Sequence, residues 1–295
     1  MVLAVTAEMT STGPAPAAPV SAYDPSELGL GMVVPVLGAH SQAGTSGIAL
    51  ALADAAASAG LRVMLVDCAD PARSGLAGVC AVEGRSVPGD QGRAALRFAT
   101  RTLPRGVVNV RRLISQGTPM DAGQIPGPSL WAGVEADQFD LTVVDLGWDV
   151  WPLTKPGAQL GPLQWCMGTP SATFPLLVLR VGAASVGLAE GVLFRYLIGM
   201  QRLGFVDMYA AVALGGESWP QSSLVVMGHY LRRLIPRTLL VPTSPEAATL
   251  GWTTEAAPQP SVRAAATLLH NLGGPVAQAV GPPSALRKGR RGHRS

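Results

Sequence analysis

The sequence predicts an α/β fold on a mostly parallel sheet, and three stretches carry that prediction. Met32–Leu37 is an apolar strand that enters a Gly-rich turn, and the turn opens a long Ala-rich helix. Arg62–Asp67 follows that helix as a second buried strand ending in an acid, which completes a strand–helix–strand unit and hence a parallel pair. Phe139–Asp145 repeats the pattern of an apolar run closed by Asp. At 295 residues, 48% hydrophobic and 14% charged, the chain has ample material for one large α/β body.

Taken in order, residues 1–30 are rich in Ala, Pro, Ser and Thr without a period and read as a disordered leader. The first helix places Ile48, Leu52 and Ala55–Ala56 on one face and stops at Gly60. Residues 68–105 read as polar and Gly-rich with one modest helix over 92–102, followed by a third strand over Val107–Ile114. Residues 147–170 carry prolines and Trp148, Trp151 and Trp165, and read as a long surface excursion. Leu176–Leu179 resumes the sheet. Ser185 then caps a helix with Leu188, Val192, Tyr196 and Met200 at helical spacing, closed by Gly204. Tyr209–Leu214 and Thr238–Val241 are short strands separated by a helix near 222–234, and a last helix covers 261–272. The expected body is therefore 31–273, with a Gly/Pro linker and basic tail over 274–295.

Composition narrows the function classes. The formal charge is +3, and setting aside Arg287, Lys288, Arg290, Arg291 and Arg294 of the tail leaves the remainder at −2, so the basic balance belongs to the tail. Such a tail reads as a solvated end or as a contact for nucleic acid or an anionic membrane surface. Cys68, Cys80 and Cys166 are too scattered for a disulfide framework or a zinc site, which points to a reducing, cytoplasmic setting. The most apolar run, 174–200, is interrupted by Arg180, Glu190 and Arg195 and is not expected to span a membrane.

Chemistry concentrates at the first turn. A helix opened this way directs unpaired N–H groups and a positive dipole end at one spot, a ready site for phosphate. Phosphoryl chemistry there needs backbone N–H groups, a hydroxyl for Mg²⁺, an acid behind the metal, and positive charge at the outer phosphates. Gly38 and Gly44 permit the turn, Thr45 and Ser46 offer the hydroxyl, and Asp145 ends the expected acid-bearing strand. The charge is missing, because the lysine of G-x-x-x-x-G-K-[ST] is absent and the chain's lysines are Lys155 and Lys288.

In this order of elements the chain resembles the ParA/MinD family of P-loop ATPases, whose loop reads roughly K-G-G-x-G-K-[ST]. His40-Ser41-Gln42 stand where that family has Lys-Gly-Gly, and the second lysine reads as deleted before Thr45-Ser46. Val63–Pro71 resembles the family's strand followed by D-x-D-P, and Val241-Pro242-Thr243-Ser244-Pro245 falls where its adenine-flanking loop lies, ahead of a helix near Glu246. The resemblance implies a Rossmann-like, three-layer P-loop NTPase fold that dimerises and binds ATP and Mg²⁺. Residue by residue, it assigns nucleotide to Gly38, His40, Gly44, Thr45, Ser46, Pro242 and Thr243. It assigns metal to Thr45, Ser46 and Asp145, and a metal and water network to Asp67, Asp70 and Asp145.

With the loop degenerate, the resemblance is to the TadZ/CpaE-like branch. It implies a partitioning or positioning protein that recruits partners, a pseudo-ATPase with little or no hydrolysis, and non-specific DNA contact through the tail. Two other readings stand beside it. An NAD(P)-dependent oxidoreductase would use Asp67 for a ribose hydroxyl, although G-x-G-x-x-G fails at His40. A pure interaction module would present the tryptophans of 147–170 to a partner.

Overall fold

The computed structural model describes residues 22–89, 94–114, 120–133, 138–155, 159–244 and 251–282. The leader up to residue 21, the region of the helix expected near Glu246 and the whole basic tail lie outside the described residues.

Nine strands form one sheet. β1 (Met32–Gly38) leads through α1 (Thr45–Ser58) to β2 (Val63–Asp67), as the apolar runs require. β3 (Ser86–Val87), β4 (Leu96–Leu103) and β5 (Gly106–Leu113) follow, then β6 (Leu141–Asp145), β7 (Leu176–Arg180), β8 (Ala210–Leu214) and β9 (Thr238–Val241). Their spatial order is β3-β4-β5-β2-β6-β1-β7-β8-β9. Pairings are parallel from β5 across to β9, and only the β3-β4-β5 edge is antiparallel. β1 therefore lies between β6 and β7, so the loop after it opens into the crevice at the strands' carboxyl ends.

Alternation along each strand feeds two cores. Val33 and Leu37 of β1 pack on the side of Trp131, Trp165, α3 (Val150–Leu153), α4 (Ala183–Leu203) and α6 (His229–Leu234). Val34 and Val36 pack on the side of α1, α7 (Gln259–Asn271) and α8 (Gly274–Val280). This is the three-layer α/β arrangement expected. α4 is long and apolar enough to cross a membrane, but Ser185, Val186, Ala189, Val192, Leu193, Tyr196 and Gly199 of it are buried within the fold.

Several expectations need correction. The helix expected over 92–102 is instead β4, which returns as β5 through a tight Leu103–Gly106 hairpin. Its Arg101 is buried, and a buried arginine on a strand hides the alternation that would have revealed it. The 147–170 excursion is in part core: a 3-10 segment, Gly161–Met167, carries Trp165 fully inside. Trp148 donates to the Cys68 carbonyl at 2.7 Å, and Trp151 alone of the three is exposed, under Arg195 at 4.4 Å. The helix near 222–234 is two, α5 (Gln221–Val226) and α6, broken at Met227–Gly228. The body also begins earlier than residue 31, because Tyr23 donates to the Trp165 carbonyl at 3.0 Å and Leu30 is fully buried.

α1 was expected to bury one face, but it is buried without a break from Gly47 to Ala57. Its alanines and Gly47 let the helix approach sheet, α7 and α8 together, with Ile48, Leu50 and Leu52 filling the core between them. Its Asp54 meets Arg101 in a buried two-pronged ion pair at 2.9 and 3.0 Å. Arg101 also donates to the carbonyls of Val79, Thr253 and Glu255, and Asp54 accepts from the Ala257 N–H. One ion pair thus ties α1, β4 and the 253–257 strap together. Removing one partner strands the other charge, so Arg101→Ala is expected to lower unfolding free energy by roughly 3–5 kcal/mol. Urea denaturation measures this, and a loss below ~1 kcal/mol would contradict the clamp's role.

Candidate functional site

The site starts at the turn 38–46. Gly44 caps α1 at φ +105, a conformation that side-chain-bearing residues rarely adopt, and a Cβ there would sit 2.2 Å from Leu214 Cδ1. Thr45 is the first helical residue and Ser46 the second. Counting back from Gly44 in G-x-x-x-x-G-K-[ST] puts Ala39 at the first glycine, Thr45 at the lysine and Ser46 at the hydroxyl. Counted this way the frame needs no deletion. On this alignment Thr45 stands where the lysine would be, beside the alternative aligned on Thr45-Ser46 in which the lysine is deleted. The first turn of α1 has no side-chain cap and no acid, so its N–H groups face the crevice without an internal anion.

Parallel register sets the acids. β2 and β6 pair Asp67 with Asp145, and β6 and β1 pair Asp145 with Val36, so both acids end up at the loop's base. Both are buried. Asp67 accepts from the Ala69 N–H at 3.1 Å and from the Ser74 hydroxyl, and Arg112 lies close enough to favour its charged form. Burial is the larger influence and holds its carboxyl above the ordinary value.

Asp145 is pushed up to about 7 by burial and then by the charge of Asp67, while the Ser46 hydroxyl and the Gly147 N–H pull it back. Its Oδ1 accepts from Gly147 at 3.2 Å, and its fully buried Oδ2 has no partner at hydrogen-bonding geometry, the Ser46 hydroxyl acting on the carboxylate without closing a bond to that oxygen. An orphaned buried carboxylate oxygen beside a first-turn hydroxyl fits a hard cation such as Mg²⁺. Among the described residues no group of three or more His, Cys, Asp or Glu could hold a metal ion by itself.

Asp70 stands apart from this pair. Its carboxylate accepts from Ala72 at 2.9 Å and Met120 at 3.2 Å, which holds two loops together. Pro242 and Thr243 are exposed just past β9, at the sheet's far edge. His40 places Nδ1 2.6 Å from the Ser41 carbonyl and Nε2 2.7 Å from the Ser185 hydroxyl, so both ring nitrogens are occupied. Gly38 ends β1, and a Cβ there would lie 3.0 Å from the His40 carbonyl.

Sequence reasoning misread Ser185 and missed Trp252, and it could name Arg180 as an arginine able to replace the missing lysine but could not place it. Ser185 is not a cap, since Gly182 holds that place; its hydroxyl accepts from the Arg180 N–H at 2.8 Å and meets His40. Arg180 Nε donates to the Gln42 carbonyl at 3.1 Å, which brings a guanidinium against the loop. Trp252 packs on the first turn of α1, where a Cβ on Gly47 would sit 2.2 Å from its Cζ2. The signal for Trp252 was weak: a single large ring in a polar stretch, facing glycines far away in sequence.

No protein-family model matches the chain, and no curated protein does. Similar solved structures include the MinC:MinD cell division protein complex of Aquifex aeolicus, at 17% identity over 84% of this chain and 92% of that one, TM-score 0.45. The septum site-determining protein MinD with Mg-ADP from Pyrococcus horikoshii is 13% identical over 85% and 93%, TM-score 0.47. The pNOB8 ParA bound to nonspecific DNA is 11% identical over 81% and 93%, TM-score 0.46. Such identities speak to fold alone, and the α/β assignment here rests on the strand order.

Between the ordinary carboxylate value and about 7 the native Asp145 keeps a proton that the unfolded chain has released, so native stability falls as pH rises through that window. Asp145→Asn removes that contribution. In EDTA, its denaturation profile is expected to be flatter from pH 4 to 7, and at pH 8 it should exceed wild type by on the order of a few kcal/mol. Unchanged slopes would show that Asp145 ionises freely.

Proposed function

We propose that this chain is a ParA/MinD-like nucleotide-binding protein that acts in partitioning or positioning, recruiting partners with weak or no ATP hydrolysis. The observation that carries the reading is the orphaned Asp145 Oδ2 beside Ser46, at the foot of an uncapped helix N-terminus with Thr45 in the lysine position. In that arrangement the N–H groups of the loop and first turn would hold phosphate, Ser46 and Asp145 would take Mg²⁺, and the neighbouring charge of Asp67 would add to the pull on that cation. Bound Mg²⁺ would neutralise phosphate charge.

Slow chemistry belongs to this proposal, because the loop itself carries no lysine. A lysine at the outer phosphates supplies charge as it develops in phosphoryl transfer, and threonine supplies none. His40 is committed to Ser41 and Ser185 within its own loop. Binding and conformational signalling remain available to such a site when turnover does not. Homodimerisation, a protein partner and contact of the basic tail with DNA or an anionic membrane belong to this proposal as its outward side. The oxidoreductase reading loses its ribose acid, because both Asp67 oxygens are engaged by Ala69 and Ser74 inside the fold.

Isothermal titration with ATP tests the proposal. Wild type is expected to bind in the presence of Mg²⁺, and Ser46→Ala is expected to lose the Mg²⁺ dependence. Thr45→Lys is expected to tighten binding by about tenfold or more through a charge-assisted contact. No heat from wild type at millimolar ATP, with Thr45→Lys equally silent, would reject the nucleotide site.

A further inference from the structure

The loop has two chemically different flanks. On the β6 side lie Asp67 and Asp145. On the β7 side lies Arg180, two residues beyond the Val178 that pairs with Gly38. Its Nε is fixed on the Gln42 carbonyl at 3.1 Å and its own N–H on Ser185. No other Lys or Arg side chain is hydrogen-bonded to residues 38–46 among the described residues. Gln42 is itself held at φ +63, the one left-handed non-glycine backbone there, which turns its carbonyl out to the arginine.

An uncapped helix N-terminus alone does not define a ligand site, but here a second feature points to one: the fully buried, unpartnered Asp145 Oδ2 on the opposite flank. A cation shared with a phosphate would satisfy that oxygen, and the phosphate would then need positive charge on its other side. The geometry points to Arg180 as the phosphate-binding cation of this loop, supplied from the end of β7 in place of the lysine that Thr45 replaces. Nε anchors the guanidinium to the loop, and Nη1 and Nη2 make no hydrogen bond among the described residues, which leaves a planar fork for phosphate oxygens. Ser185 ties the arrangement together, because its hydroxyl takes the Arg180 N–H and faces His40 at once.

This inference rests on the nucleotide reading above, and the test separates the two. ATP, ADP and AMP are titrated, with Mg²⁺ present, into wild type, Arg180→Ala, Arg180→Gln and Arg180→Lys. Loss of the guanidinium is expected to weaken ATP binding by about 10- to 100-fold and AMP binding far less. Arg180→Gln should behave like Ala even though its amide can still reach the Gln42 carbonyl, whereas Arg180→Lys should recover part of the ATP affinity. The salt dependence of ATP binding should also flatten in the Ala and Gln variants, which a purely loop-bracing role would not produce.

If wild type binds ATP and Arg180→Gln binds it equally well, the inference fails and the nucleotide reading stands. Equal losses for ATP and AMP would assign Arg180 to bracing the loop and overturn its role as a cation. Wild type that binds none of the three nucleotides removes both.

Discussion

Everything at the loop depends on α1 being buried from Gly47 to Ala57 while its N-terminus stays open. A helix enclosed by sheet, α7 and α8 comes close where its residues are small, and six of the nine residues from Ala49 to Ala57 are alanine, with Leu50 and Leu52 filling the core. Alanine gives close approach but little directional hold. Direction comes from Asp54, whose carboxylate takes Arg101 from β4 and the Ala257 N–H from the strap. The strap in turn lays Trp252 against Gly47. The N–H groups of the first turn are thereby fixed in place rather than free to fray, which is what a preorganised anion site requires.

The second constraint is electrostatic. Parallel pairing of β2 with β6 places two buried acids side by side. Asp67 is partly compensated by Ser74, Ala69 and Arg112, while Asp145 keeps one oxygen unmatched. Like charges in a dry place are costly, and a protein keeps such a pair where a cation relieves it. At the foot of the loop one buried carboxylate oxygen is left unmatched, and the proposed reading gives it to a cation.

Elements with apolar continuity were legible in the sequence: β1, β2, β5, β6, β7, β8 and β9 all fall where hydrophobic runs and flanking turns put them. β4 was not, because Leu96–Leu103 interleaves arginine and threonine with its apolar residues, and Arg101 is inside only by virtue of Asp54, 47 residues away. Trp165 was misplaced for a related reason. A short 3-10 segment has no period to read, and its burial depends on the Tyr23 region far upstream. At the site, Gly44, Ser46, Asp67 and Asp145 could be found from spacing alone. Ser185 and Trp252 could not, and Arg180 could be named but not placed, since each reaches the loop across a strand order that only the folded sheet reveals.

Hydrogen–deuterium exchange of the wild-type chain, with and without Mg²⁺ and ATP, tests most directly whether this crevice is a Mg²⁺–nucleotide site. The account predicts that amides of 38–48, together with the turns after β2 and β6, gain protection when both are present and little when either is alone. Unchanged exchange at 38–48, or protection confined to surfaces remote from it, would contradict the account.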